Sequence, residues 1–307
     1  MRDAYINAIY EATKQDKDVL CLVGDIGAFL LRNYIKDFPA NYYNLGAAEA
    51  NMVGVGAGLA MSGKIPFAYT ITPFITSRVY EQIKIDVCYN NANVKIVGVG
   101  SGVSYGTMGS THHSLEDIAI MRALPNMVIL SPADPEEVNE VVLAAAKYKG
   151  PVYIRLTLTS KSLDYEKGDF EIGKARIVRK GKDAAIIAAG DMVGIAQEAA
   201  GILKENNINC YVVNMHTIKP IDEDLIKKLS RECRAIVSIE EHSIIGGLGS
   251  AVASIISQYP ENKALFKIMG FEDAFVKEYS KDKLKIFESY NLSVKDLVKK
   301  VIELYNS

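Results

Sequence analysis

The strongest constraint on the fold is the alternation of short apolar runs with amphipathic helical patterns along all 307 residues. Strand candidates in the first half are VLCLVGDI, YYNLG, IPFAYTI, VKIVGVGSG, MVILSP and VYIRLTL. Between them lie helical patterns such as FITSRVYEQIKIDVCYN and DPEEVNEVVLAAAKY; the latter begins with Asp134 as a natural N-cap followed by Pro135. Strands that are apolar throughout and separated by helices predict a parallel sheet covered on both faces.

A polar, aperiodic segment at 158–172, LTSKSLDYEKGDFEI, interrupts this alternation and is predicted to be a linker or a surface crossing. A second α/β series follows, with strand candidates DAAIIAAG, NCYVVNMH, AIVSIEEH and FKIMGF. Its helices are expected at about 192–205, near 222–231 and from about 247. We therefore predict an α/β fold of two stacked α/β domains, residues 1–170 and 171–307, the first built on a parallel sheet.

Composition excludes several classes of function. The net charge of −2 gives no basic field for nucleic acid, and no apolar stretch has the length of a membrane span or the form of a signal peptide. The four cysteines (Cys21, Cys88, Cys210 and Cys233) form no C-x-x-C pair, which favours buried free thiols in a reducing compartment. The sequence predicts a cytoplasmic protein without nucleic-acid or membrane partners.

Two glycine-rich stretches, GVGAGLA and GVGSGVSYG, raise the possibility of a nucleotide site. Neither supplies a G-x-G-x-x-G sequence that opens a helix after the first strand, and no Walker lysine–serine pair is present. A dinucleotide site is therefore disfavoured.

The stretch GSTHHSLED at 109–117 holds two of the four histidines of the chain. Thr111, His112 and His113 follow a predicted strand and precede a helix, which places them at the carboxyl edge of a parallel sheet, where ligands bind. A capped surface loop with solvated imidazoles fits the same residues equally well. A metal site is disfavoured, because no third ligand lies nearby at ligand spacing.

Glu49 lies in NLGAAEANMVGVGAGLA, a segment of small apolar residues with no basic residue between 44 and 60. A helix-start carboxylate that interacts with free N–H groups would explain an exposed glutamate, but explains one among so many small residues less well. Burial without a cation favours the neutral carboxyl, which is a proton donor. The pattern therefore suits a glutamic acid that hydrogen-bonds a ring nitrogen of a ligand.

The stretch FPANYYNLGAAEANMVGVGAGLA resembles the F-P-x-R-x-x-N-x-G-[IA]-x-E-x-N-M-x-G-x-A-x-G-L-A segment of transketolases. Deoxyxylulose-phosphate synthases and the beta subunits of 2-oxo acid dehydrogenases share it more loosely. The resemblance implies thiamine diphosphate as cofactor, with Glu49 at N1′ of the aminopyrimidine, where it promotes removal of the thiazolium C2 proton. It further implies that Phe74 packs on the pyrimidine, and that Ile71, Asp25 and Ile26 lie beside the cofactor.

GSTHHSLEDIAIMRALPNMVILSPAD also resembles the transketolase pattern G-x-[ST]-H-Q-x-x-E-[DH]-[IL]-A-x-x-R-x-[IL]-P-N-[ML]. This makes His112 the loop histidine that faces the substrate, a catalytic residue, with His113 as a further substrate residue. DAAIIAAGDMVGIAQEAAGIL and the segments EEH and GGLGSAVA resemble the transketolase C-terminal domain, which mostly builds the dimer.

Transketolases hold Mg²⁺ and the diphosphate with a G-D-G motif followed by an asparagine, and GDIG at 24–27 and AAGDMVG at 188–194 do not lead to this pattern. A complete transketolase is also about twice this length. The chain therefore resembles the C-terminal subunit of a split transketolase, with no metal ligand of its own. A separate N-terminal subunit would supply the G-D-G and asparagine ligands of Mg²⁺, in a heterotetramer that includes self-dimerisation.

Substrate residues depart from the transketolase pattern. Arg2 and Arg155 match arginines that grip the sugar phosphate, whereas Phe29, Gly100 and Met108 stand where transketolases have a serine, a histidine and an aspartate. The predicted activity is transfer of a two-carbon ketol unit from a ketose to an aldose, on sugar or sugar phosphate substrates. The alternatives are an acyloin synthase, a 2-oxo acid decarboxylase or dehydrogenase-type beta subunit, and a non-catalytic regulatory homologue.

Overall fold

The computed structural model describes residues 1–159, 161–166 and 168–307. Strands of the first half are β1 (Val19–Val23), β2 (Tyr42–Asn44), β3 (Ile65–Ile71), β4 (Lys95–Val99), β5 (Val128–Leu130) and β6 (Val152–Leu156). Its helices are α1 (Arg2–Gln15), α2 (Arg32–Asp37), α3 (Glu49–Met61), α4 (Thr72–Ile75), α5 (Tyr80–Gln82, continued as a π-helix over Ile83–Tyr89), α6 (Asp117–Ala123) and α7 (Pro135–Lys147).

The second half contributes the strands β7 (Arg176–Arg179), β8 (Ala184–Ala188), β9 (Cys210–Asn214), β10 (Thr217–Lys219), β11 (Ala235–Ser243) and β12 (Leu265–Phe271). Its helices are α8 (Met192–Glu205), α9 (Glu223–Glu232), α10 (Leu248–Gln258), α11 (Lys283–Ser289) and α12 (Val294–Asn306). The three helices predicted here from the sequence, now α8, α9 and α10, are confirmed within a residue or two at their predicted ends. Asp134 caps α7 as predicted, since its side chain accepts a hydrogen bond from Glu137 N and Pro135 follows it.

These strands form two sheets, ordered β10-β5-β6-β4-β3-β1-β2 and β12-β11-β8-β9-β7. Among the strands described, every pairing is parallel except those of β10 with β5 and β7 with β9. The predicted α/β class with two mostly parallel sheets is confirmed. The sequence analysis missed both antiparallel edge strands, because TIK and RIVR are too short and too polar to be distinguished from loops.

The two halves share a hydrophobic core. One apolar cluster joins Leu22 and Ile96 of the first sheet to Ile187 and Val213 of the second. In addition, β10 of the second half completes the first sheet. The boundary at residue 170 stays a prediction, because this structure does not divide the chain cleanly there.

The predicted linker lies partly on this core. Leu163 is buried and its N–H donates to Asp134 Oδ2 at 3.0 Å, while the Phe170 ring packs 4.5 Å from that of His216. Ser160 and Lys167 of this segment lie outside the described residues. All four cysteines are buried free thiols, as predicted. In the described parts of the chain, no helix is long and apolar enough to cross a membrane.

Candidate active site

The carboxyl ends of β1, β3 and β4 lie side by side, since these strands are parallel neighbours in the first sheet. Helix α3 begins at this edge with Glu49. Gly24 follows β1 here, and a Cβ at this position would stand 3.3 Å from Thr70 Oγ1 and 3.6 Å from Glu49 Cγ. A glycine at 24 therefore keeps the space beside the Glu49 carboxyl clear.

Glu49 is only 5% exposed, and its Oε2 lies 3.2 Å from Arg78 Nη1. The expectation that this carboxyl lacks a cation was therefore wrong. The cation is 29 residues further along the chain, and the turn after β3 brings it back over the start of α3. The Arg78 side chain is 52% exposed, so it is anchored on one side and solvated on the other.

Three rings extend from this ion pair. The Arg78 guanidinium lies 3.9 Å from the centroid of the Phe74 ring, and the Phe74 ring is 5.2 Å from the His112 imidazole at an interplanar angle of 65°. On its other side His112 meets the Tyr105 ring at 5.8 Å and 75°. Thr111 Oγ1 lies 2.9 Å from His112 Nδ1, which leaves Nε2 as the ring nitrogen that can face a substrate. The structure thus places Glu49, Phe74 and His112 in one chain of contacts through Arg78, and the roles assigned to them stay predictions.

The glycine-rich loop after β4 is filled by side chains of the protein itself. A Cβ at Gly98 would stand 2.9 Å from Thr72 Oγ1, and one at Gly102 would stand 2.2 Å from the Glu241 carboxyl. Glu241 Oε1 accepts a hydrogen bond from Val103 N at 2.7 Å. These glycines make room for neighbouring side chains, which explains the stretch without a pyrophosphate.

Arg155, predicted as a substrate residue, is buried and bonded to the protein in this structure, and its role toward substrate stays a prediction. It is 3% exposed, and its Nε donates to Asp117 Oδ2 at 2.7 Å while its Nη2 donates to the Glu241 carbonyl at 2.9 Å. Tyr153 donates to the same Asp117 oxygen at 2.6 Å. Burial, the largest single cause, would raise the pKa of Asp117, but the charge of Arg155 and the hydrogen bonds from Arg155 and Tyr153 act together with smaller effects to lower it. Arg155 therefore forms a buried ion pair with Asp117, and its hydrogen bond to the Glu241 carbonyl joins the two halves of the chain.

His113 does not share the surroundings of His112 either. It is 6% exposed and lines a cleft of about 310 Å³ with Glu116, Phe271 and Val276, on the side of the second half. Burial lowers the pKa of its imidazole. Consecutive residues of an irregular loop point in different directions, and here only His112 faces Phe74. The role of His113 as a substrate residue stays a prediction.

The remaining predicted substrate residues lie around the same edge. Arg2 is exposed at the start of α1, and Phe29 and Met108 are exposed on loops, Phe29 beneath the Arg32 guanidinium at 4.8 Å. Gly100 is buried, because the Tyr105 ring lies over it.

Two predicted cofactor residues follow β1. Asp25 is exposed and its Oδ1 accepts a hydrogen bond from Asn44 Nδ2 at 3.1 Å, while the next residue, Ile26, is half-buried. Ile71 is half-buried at the end of β3, three residues before Phe74. The roles of these three residues stay predictions.

Sequence reasoning missed Arg78 and Tyr105. Arg78 was accessible from the pattern, because it follows Phe74 by four residues in a helical segment and so shares its face. Tyr105 carried no local signal, since its position depends on the turn that follows Gly100. A cleft of about 630 Å³ lies elsewhere, between Asp191, Lys283 and the start of α12. Among the described residues, no three His, Cys, Asp or Glu side chains are grouped so that they could hold a metal ion.

Comparison with known proteins shows the family of the chain. Residues 1–160 match the family model of the transketolase pyrimidine-binding domain, and residues 173–297 match that of the transketolase C-terminal domain. A putative transketolase C-terminal section of Methanocaldococcus jannaschii is 42% identical over 307 residues, which cover 99% of this chain and 95% of the relative. One subunit of the apulose-4-phosphate transketolase of Phocaeicola vulgatus is 38% identical over 305 residues, which cover 98% of this chain and 96% of that one.

A solved structure described as a split gene transketolase, inactive beta4 tetramer, superposes with a TM-score of 0.89 at 37% identity. The match covers 99% of this chain and 97% of that one. The chain therefore belongs to the transketolase family, in which it matches separately encoded C-terminal subunits along nearly its whole length.

Proposed function

We propose that this chain is the cofactor-activating subunit of a split transketolase that moves a two-carbon ketol unit from a ketose donor to an aldose acceptor. The observation that carries the proposal is the placement of the Glu49 carboxyl, buried at the start of α3 and within reach of the same open edge as Phe74 and His112. A non-catalytic homologue would need none of these three side chains in this arrangement.

The residues present fit the aminopyrimidine of thiamine diphosphate. Glu49 offers a carboxyl to a ring nitrogen, Gly24 leaves the space beside it free, and Phe74 offers an aromatic face. Arg78 contacts both Glu49 and Phe74, so binding of a ring at these two residues displaces its half-exposed guanidinium. When bound, the cofactor supplies a carbanion at its thiazolium ring and an electron sink for the cleaved ketose.

The protein's own groups provide proton exchange and orientation. The Glu49 carboxyl, buried at the start of α3, is placed to exchange a proton with a ring nitrogen of the cofactor, which is the role we assign to it. His112, held through Nδ1 by Thr111, presents Nε2 to a substrate oxygen by hydrogen bonding or proton transfer. Phe74 fixes the plane of the ring.

A second subunit completes the site in this proposal. The chain lacks the G-D-G motif with its following asparagine, and the described residues contain no metal-binding group. The outer face of α3 supports association with another subunit, because beyond Asn51 this helix is apolar on all sides and exposes Val55 and Met61. We therefore infer that Mg²⁺ and the diphosphate are held by a partner subunit, in a heterotetramer of two copies of each chain.

The substrate is proposed to differ from the ordinary pentose phosphates. Phe29 and Met108 are exposed apolar side chains where transketolases have a serine and an aspartate, so a sugar hydroxyl directed at either has no partner there, at about 1–3 kcal/mol for each unsatisfied group. Arg2 is an exposed cation at the same edge. A ketose that carries an anionic group but is deoxygenated, bulkier or differently phosphorylated fits these residues better; the relative from Phocaeicola vulgatus is named for apulose 4-phosphate.

Reconstitution tests the proposal. We expect no ketol transfer by the purified chain alone, and transfer when it is mixed with a partner subunit that carries the G-D-G and asparagine motif. Xylulose 5-phosphate with ribose 5-phosphate should be a poor pair, with kcat/KM below about 10⁴ M⁻¹s⁻¹, the lower end of the usual range for enzymes. Turnover by the single chain, or no transfer from any ketose phosphate in the presence of the partner, would refute the proposed function.

A further inference from the structure

Gly100 cannot carry a side chain in this structure. It directly follows β4 and adopts φ +74°, a conformation that favours glycine. A Cβ built here would stand 2.1 Å from Tyr105 Cε2 and 2.7 Å from Tyr105 Cδ2. The volume that a side chain at position 100 would take is therefore occupied by the ring of Tyr105, five residues later.

The ring of Tyr105 is held in place by the turn that carries it. Ser104 Oγ donates to the Ser101 carbonyl at 2.7 Å, and Met108 N donates to the Tyr105 carbonyl at 2.8 Å. Tyr105 is followed by Gly106, where a Cβ would stand 2.2 Å from the Ser280 carbonyl oxygen. The backbone of Tyr105 is thus enclosed between its own turn and the second half of the chain, so the ring cannot move away from Gly100 as a unit.

Tyr105 also faces the candidate active site. Its ring meets the edge of His112 at 5.8 Å, and His112 in turn packs on Phe74. The side chain is half-exposed, and its phenol lies in the field of Arg2: burial raises the pKa of Tyr105, and the Arg2 guanidinium opposes that rise. A fixed ring, a hydroxyl and an exposed cation therefore occupy one corner of the site, next to the histidine.

We propose that Tyr105 is a specificity-determining residue, which limits the length of the substrate chain that fits beside His112 and offers its hydroxyl to the end group of that chain. The inference rests on the proposed function, because it names what that site selects. A leucine at 105 would open the volume above Gly100, so that the affinity for longer sugar phosphates rises relative to that for shorter ones. A phenylalanine would keep the volume and remove only the hydrogen-bonding group.

Alditol phosphates test this without turnover, since they lack the carbonyl that reacts. Dissociation constants of ribitol 5-phosphate and glucitol 6-phosphate are measured by calorimetry on the full chain reconstituted with its partner subunit. For Tyr105→Leu we expect the ratio of the two dissociation constants to change by roughly tenfold or more in favour of glucitol 6-phosphate. This is the scale of discrimination by one carbon in a close-fitting pocket. For Tyr105→Phe we expect both affinities to fall by a similar factor, with their ratio unchanged.

The matched control is Tyr259→Leu, which removes a tyrosine ring from the second half, next to Arg231 and away from His112; its affinities should equal those of the unaltered protein. An unchanged ratio in Tyr105→Leu, including failure of both proteins to bind either compound, would overturn the inference. Ketol transfer by the unaltered pair of subunits with no change of ratio in Tyr105→Leu would reject the role of Tyr105 and leave the proposed function standing. A shifted ratio of the two dissociation constants in Tyr105→Leu, without ketol transfer by the unaltered pair of subunits, would support the role of Tyr105 and reject the proposed function.

Discussion

Two polar clusters at the same end of the first sheet differ in how completely their groups are satisfied. We call Glu49, Phe74, Arg78 and His112 the open cluster, and Asp117, Tyr153, Arg155, Glu241 and Lys283 the closed cluster. In the closed cluster, Asp117 accepts from Tyr153 and from Arg155, and the two oxygens of Glu241 meet Val103 N at 2.7 Å and Lys283 Nζ at 2.6 Å.

In the open cluster, the contact described for the Glu49 carboxyl is the single one at 3.2 Å to a half-exposed arginine. Both clusters contain buried carboxylates, yet only in the closed cluster does each carboxylate oxygen meet a hydrogen-bonding or charged group of the protein. The closed cluster, whose carboxylates are paired, holds the two halves of the chain together, whereas the open cluster leaves hydrogen-bonding capacity for a ligand. Substitutions in the two clusters should therefore separate activity from stability.

The largest effect is expected for Glu49→Gln. The amide keeps the volume of the side chain but cannot exchange a proton with a ring nitrogen, so kcat of the reconstituted enzyme should fall by about 10²- to 10⁴-fold, as for loss of a general acid–base group. The urea midpoint of the chain should stay unchanged. Deuterium exchange at the thiazolium C2 of added thiamine diphosphate, followed by NMR, measures the step directly.

Glu11→Gln is the matched control, since Glu11 is an exposed glutamate of α1 outside both clusters. It should leave exchange and kcat unaltered. An exchange rate in Glu49→Gln equal to that of the unaltered enzyme would mean that Glu49 has a structural role only.

The closed cluster should respond in the opposite way. Asp117→Asn leaves the buried Arg155 guanidinium without a counter-charge, and we expect the free energy of unfolding to fall by about 3–5 kcal/mol, the usual effect of breaking a buried ion pair. Urea unfolding measures this. Lys227→Met, which removes the exposed Lys227–Glu223 pair, should have no measurable effect. If Asp117→Asn had unaltered stability and a raised KM for a sugar phosphate, Arg155 would act on the substrate and not on the stability of the fold.

The comparison also shows what the sequence could predict. The alternation of strands and helices follows from apolar periodicity, which is local, and the transketolase-like segment around Glu49 is long enough to locate the carboxyl. The surroundings of Arg155 were beyond such reasoning. Arg155 matched a family position by spacing, but a one-dimensional match does not reveal that Asp117, Tyr153 and the Glu241 carbonyl surround it.

Long-range packing accounts for the other failures. The partner of Glu49 is 29 residues away, and the side chain that fills the space at Gly100 belongs to Tyr105. The edge strands β7 and β10 are short and pair antiparallel with strands that the sequence does predict, so their state is decided by neighbours and not by their own propensity. Glycine-rich segments are ambiguous for the same reason: a missing side chain can admit a ligand or another part of the chain.

The smallest predicted effect concerns acid stability at the closed cluster. His242 is fully buried, with Nδ1 2.7 Å from the Ser243 carbonyl oxygen and Nε2 accepting from Ala119 N at 3.3 Å, so its ring is neutral. Burial lowers its pKa to about 4; the Arg155 guanidinium adds to this and Asp117 opposes it. Because the folded pKa is lower than that of an unfolded histidine, about 6.5, this contribution to stability is complete above pH 6.5 and is lost as the pH falls toward 4.

The titration of Glu240 changes the stability with pH in the opposite direction to that of His242. The contribution of His242 is therefore measured as the difference between two proteins. Glu240 Oε2 lies 3.8 Å from His242 Nδ1, and burial raises the pKa of Glu240 to about 7, so its contribution to stability is lost as the pH rises from about 4.5 toward 7. The two slopes offset each other in the unaltered chain. His242→Gln keeps a polar side chain but removes one titration, so that between pH 7 and 5 it should lose about 1–2 kcal/mol less of its free energy of unfolding than the unaltered chain. Urea unfolding at pH 7, 6 and 5 measures the difference, and parallel pH profiles for the two proteins would show that His242 does not titrate on unfolding. Activity at the open cluster should follow neither profile, since the closed cluster acts on the stability of the fold and not on the carboxyl of Glu49.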